Sequence, residues 1–235
     1  MCIFKMINEK NGNALNNNIV KKINFLNLAL ISFLVLGMEL LIIAVETTIY
    51  GISINEYTYT MGCMHLVYTI IVWGFLICAL INYSRKKCFY DIFKEKSMPS
   101  IKRILTVLVI LIVMIIWKYI DWSGIKIIKE FEHNGLLKGI LQHLYYFCET
   151  GLVTLIIVFG QKYGEIKFKN NKKMYNFPYG ALLLAVTWGL AHILTKDILC
   201  GIESIIFSIF FGVTYLLLRK NTKLSYLFIT LMFIL

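Results

Sequence analysis

Two ionisable side chains stand inside apolar runs of this chain with the chemistry to activate water. Glu149 lies within Leu141-Gln142-His143-Leu144-Tyr145-Tyr146-Phe147-Cys148-Glu149, and His192 ends Thr187-Trp188-Gly189-Leu190-Ala191-His192. A carboxylate can take a proton from water while an imidazole orients that water or stabilises the charge that develops. On a helix, Gln142, Tyr145 and Tyr146 stand seven, four and three residues before Glu149, so one stripe gathers these polar groups and should face other protein. Trp188 is one turn before His192 on the same face, and Gly189 and Ala191 permit a neighbouring helix to come close. The same Glu-His pair also reads as a packing hydrogen bond between helices, worth about 1 kcal/mol. Pattern alone leaves both readings open.

A charged group at the centre of a bilayer costs at least a few kcal/mol, so the other polar residues in apolar runs are candidates too. Glu39 and Glu46 lie seven apart on one helix face, where they can line a polar cavity or sit near the outer headgroups. His65 and His143 read as satisfied interior or interfacial residues, with His143 beside the cavity, and Glu203 stands early in a later run. No HExxH or comparable ligand set is present, so no metal and no cofactor are expected.

These residues need helices in a membrane to hold them. The 235 residues have a mean hydropathy of +0.73 and are 59% hydrophobic, more apolar surface than one soluble core can hide. A helix needs about 20 apolar residues to cross the hydrocarbon. Six segments approach that length: Ile23–Ala44, Met61–Tyr83, Ile104–Tyr119, Leu136–Gly160, Tyr179–Thr195 and Leu199–Leu218. A seventh, Leu224–Leu235, is short and reads as a half-helix buried among the others. The expected fold is all-α: a polytopic bundle of six to seven transmembrane helices. It has a polar cytoplasmic arm at residues 1–22, with an Asn-rich disordered tract at Asn11–Asn18, and a single membrane domain over residues 23–235.

Lys and Arg in short loops stay cytoplasmic. With the N-terminus inside, 19 of the 24 cations fall on the inner side, leaving Lys118, Lys126, Lys129, Lys138 and Lys196 outside. Residues 121–135 are mixed in charge, with Ile125, Ile127, Ile128 and Phe131 spaced as in a short interfacial helix on the outer surface. The net charge of +11 does not point to nucleic acid, because the cations punctuate apolar runs instead of covering one folded face. The six cysteines carry no CxxC pair and read as small core residues. The bilayer is the one partner composition demands, in a cell membrane and, by class, a bacterial plasma membrane.

Residues 136–235 resemble the CPBP (Abi) intramembrane proteases, which include CAAX prenyl endopeptidases and bacteriocin-immunity relatives. That family carries Glu-Glu-x-x-x-Arg on one transmembrane helix, Phe-x-x-x-His on the next, and His with Asn or Asp near the C-terminal end. Glu149 is similar to the first Glu, with Thr150 at the second Glu position and Thr154 at the Arg position. Trp188 to His192 is similar to the second motif, with Trp for Phe, and Phe211–Leu224 resembles the Gly-bearing helix before the third. Leu224–Leu235 holds no His, Asn or Asp. Losing Glu and Arg together leaves neither charge buried alone. The absent third motif removes an oxyanion partner, for which Glu203, His143, Tyr145 and Thr230 are candidate substitutes.

The resemblance implies an endopeptidase acting on a membrane-associated peptide or protein, with Glu149 and His192 catalytic. The alternatives are a non-catalytic relative that binds in peptide immunity or scaffolding, and a small-solute transporter component using Glu39 and Glu46.

Overall fold

The structure, a computed structural model, describes residues 25–95, 97–171, 174 and 177–235. The polar arm and its Asn-rich tract lie outside these residues. Seven helices make up the described chain. They are α1 over Phe25–Tyr50, α2 (Tyr59–Lys87), α3 (Ile101–Asp121), α4 (Lys126–Lys167), α5 (Tyr179–Thr195), α6 (Ile198–Leu217) and α7 (Thr222–Ile234). Five of them, α1 to α4 and α6, are long and apolar enough to cross a membrane, while α5 and α7 are shorter apolar helices. No strand occurs among the described residues.

α4 is the axis of the bundle. Every residue from Leu152 to Gln161 is buried, because α1, α2, α5 and α7 all pack on it. A helix apolar on all sides belongs at such a centre. α3 is the opposite case: only Val107 and Met114 are buried, and Leu105, Val109, Ile112, Ile116 and Ile120 are exposed, as suits a helix bathed in lipid. Helix starts are fixed locally. Thr58 accepts from Met61 N at 3.4 Å, Asp197 from Cys200 N at 2.8 Å and Asn221 from Leu224 N at 3.3 Å, each satisfying an orphan N–H of a first turn.

The cation-rich loops gather at one end. Thr222 Oγ1 donates to Ile92 O at 2.6 Å, and Lys220 pairs with Glu165 at 2.6 Å. At the other end Lys138 N donates to Tyr59 Oη at 3.3 Å, and Lys126 Nζ to Phe233 O at 2.9 Å. α7 therefore runs back from the cation-rich end into the bundle, as a short buried helix.

Two details depart from the sequence reading. Residues 126–134 do form a short outer helix, broken from the long span at Gly135 (φ 70°, ψ 177°), a backbone conformation that glycine adopts without strain. This helix does not merely lie on the surface, since Lys126 and Glu130 are buried against α4 and α7. Within α5, Ala185–Gly189 is a π-helical turn, the wider winding that often accompanies functional sites.

α5 is held tightly. Gln161 of α4 accepts from Gly180 N at 3.2 Å and donates to Phe177 O at 3.1 Å. A Cβ on Gly212 would come within 2.6 Å of Ala181 Cα, and one on Gly189 within 2.8 Å of Ile205 Cγ1. Such small-residue contacts let helix backbones approach without any apolar driving force from lipid.

Candidate functional site

All seven helices contribute to the lining of a cavity of about 650 Å3, most of it from α1, α4, α5 and α6. Glu149 and His192 both line it, as do Trp188, Gln142, Tyr145, Tyr146 and Glu203, so the pair and all of its expected cavity neighbours but one meet at one place. Trp188 joins the two central groups. Its indole Nε1 donates to Glu149 Oε1 at 3.2 Å, and its main-chain oxygen accepts from His192 Nδ1 at 2.8 Å. The His192 ring packs 4.5 Å from the Trp188 ring, centroid to centroid. Because a carbonyl can only accept, Nδ1 carries the proton of the neutral ring and Nε2 carries the lone pair. The π-helical turn falls on Trp188 and sets this geometry.

His143 is the exception, and the reason is angular. It follows Gln142 by one residue, about 100° around the helix, and so turns off the stripe. Its Nδ1 is bonded to Gly139 O at 2.7 Å, its ring stacks on Phe131 at 5.1 Å, and its Nε2 lies 3.7 Å from Glu130. It is an interior packing residue outside the cavity lining.

On the opposite wall α1 presents Glu39. Its Oε2 accepts from Tyr145 Oη at 2.8 Å, and its Oε1 lies 3.5 Å from His65 Nε2. His65 Nδ1 is 2.7 Å from Glu46 Oε2, which Tyr57 Oη approaches at 3.4 Å. Glu39 thus faces the cavity, whereas Glu46 is buried behind His65. His65 is the satisfied interior residue the sequence suggested. The two carboxylates approach opposite ring nitrogens, so this trio does not aim three donor atoms at one point; no metal-holding group of three such side chains occurs among the described residues.

One position that departs from the resembled motifs, Thr150, is accounted for by packing, while Thr154 is buried with its hydroxyl unpartnered. Thr150 is fully buried and shares a 3.0 Å hydrogen bond with Thr230 of α7, which joins α4 to α7 where the family has a second Glu. Thr230 is thereby engaged away from the cavity lining, and with His143 it drops out as an oxyanion substitute. Glu203 accepts from Trp117 Nε1 and Tyr145 donates to Glu39, so neither offers a spare donor. The cationic donors in the lining are Lys118, Lys126 and Lys196. The sequence reading singled out none of the three; Lys126 is the buried one, its Nζ 4.4 Å above the Tyr146 ring and 3.8 Å from Glu130. An i,i+4 Lys-Glu pair at the start of an outer amphipathic segment was the available signal.

The turn carrying Ile54 to the cavity is also fixed. The Ser53 N–H donates to the Glu56 carboxylate at 2.8 Å and holds that exposed carboxyl below its ordinary range. No protein-family model matches the chain, and neither does any curated protein or solved structure.

Proposed function

We propose that the chain is a divergent intramembrane endopeptidase of the CPBP kind in a bacterial plasma membrane, hydrolysing a peptide bond of a membrane-associated peptide or protein. The observation that carries this reading is the convergence of Glu149 and His192, from two helices, on one cavity through Trp188. Water bound between the free Glu149 oxygen and His192 Nε2 attacks the scissile carbonyl. Glu149 takes one of its protons as the new C–O bond forms. The tetrahedral oxyanion is stabilised by the positive field of the lysines toward the mouth of the cavity. Glu149 then returns the proton to the leaving nitrogen as the C–N bond breaks, giving a carboxylic acid and an amine, between which the remaining proton of the water passes to leave carboxylate and ammonium. Trp188 touches neither reacting atom and acts as a positioning residue.

A second reading keeps the cavity and drops the chemistry: a relative that binds a peptide, for example in immunity. It is favoured by α7, whose contribution to the lining is Phe233, with no His, Asn or Asp. The two separate in one experiment. Membrane-associated and released peptides are compared by mass spectrometry in cells carrying the wild-type chain, Glu149→Gln or His192→Ala, at matched membrane levels. The peptidase reading predicts cleavage products that vanish in both variants. Products or phenotype unchanged by both contradict it and leave binding; a phenotype lost only with Glu39→Gln or Glu46→Gln favours transport.

A further inference from the structure

The lining of the cavity runs from the middle of the helices to one end of the bundle. Its deep wall is built from Leu36, Gly37, Trp73 and Glu149. Its mouth is built from Ile54 in the α1–α2 turn, Asp121 and Trp122 at the end of α3, Lys126, and Lys196 between α5 and α6. Among the described residues, none of the α2–α3, α4–α5 or α6–α7 connections lines the cavity. Those three with the helix ends that flank them, together with the N-terminal arm, hold 19 of the 24 cations and by the positive-inside rule are cytoplasmic. The mouth is at the other face. Moreover, of only five cations assigned to that face, three line this one cavity. Cations there run against the charge asymmetry that orients the chain, and their concentration at one opening marks a local role: their N–H groups meet whatever enters.

From this we infer that the site is served from the extracytoplasmic side, and that its substrate is an exported peptide or the outer segment of a membrane protein, not a cytoplasmic one. The word substrate rests on the hydrolytic reading; the sidedness does not. Cys200, half-buried and in the lining, supplies a native reporter. The other five cysteines are replaced by alanine, and intact cells are treated with a membrane-impermeant maleimide. Asn55→Cys in the outer turn and Lys94→Cys in the inner loop, each in a chain without other cysteines, calibrate outer and inner exposure. Cys200 labelled in intact cells, as at position 55 and unlike position 94, is the expected result. Labelling only after the cells are permeabilised overturns the inference, and so does a Cys200 that reacts from neither side. If the single-cysteine chain does not accumulate, the label is mapped by mass spectrometry on the wild-type protein, with the same outcomes. Cleavage is not needed for this readout, so loss of the peptidase reading and loss of sidedness are separately visible.

Discussion

Replacing Gly212 by alanine tests the helix packing that positions the site. The added Cβ would lie 2.6 Å from Ala181 Cα and 2.7 Å from Ala181 N, backbone atoms that no side-chain rotation can clear. α5 and α6 must separate, and overpacking of this kind costs about 1–3 kcal/mol. At about 2–4 °C per kcal/mol for a chain of this size, the melting temperature in detergent should fall by about 2–12 °C. Gly74→Ala is the control. Nothing lies within 4 Å of its added Cβ, so only helix propensity changes, a gain of up to about 1 kcal/mol. Differential scanning fluorimetry of the two purified variants reads the difference directly. If Gly212→Ala melts with or above Gly74→Ala, the close approach of α5 to α6 is wrong, and with it the placement of Trp188 and His192.

Trp188→Phe keeps an aromatic ring and removes the N–H bonded to Glu149. A hydrogen bond to a charged group contributes about 1.5–3 kcal/mol, so kcat should fall about 10- to 150-fold with little change in KM, measured at equal membrane protein. His65→Ala leaves the buried Glu46 carboxylate with Tyr57 alone and should destabilise the chain by about 3–5 kcal/mol. Adding Glu46→Gln should restore most of that loss, and thermal unfolding of the single and double variants checks it.

Much of this was legible because lipid imposes simple rules. Spans declare themselves by length and hydropathy, and the outer break at Gly135 matches the expected start of a span at Leu136. The stripe of Gln142, Tyr145, Tyr146 and Glu149 was legible because helical spacing fixes which side chains share a face, and all four line the cavity. What spacing does not give is which face meets which neighbour. The links from Glu39 to Tyr145, 106 residues apart, and from Trp188 to Glu149, 39 apart, are made between helices and leave no local trace. Nor does propensity announce a π-helical turn at Ala185–Gly189. Lys126 escaped for a further reason: a lysine in an outer segment is ordinarily solvated, and the nearby Phe233 carbonyl, Glu130 carboxylate and Tyr146 ring are what make its burial tolerable.

The central claim is that Glu149 and His192 act on one water. A double-mutant cycle on the cleavage rate of one product peptide tests it, using wild type, Glu149→Gln, His192→Ala and the pair. Groups acting as a unit lose the same step whichever is removed, so the double variant should be no slower than the slower single variant. Losses that multiply in the double variant would show two groups working independently, and the shared-water mechanism would be wrong.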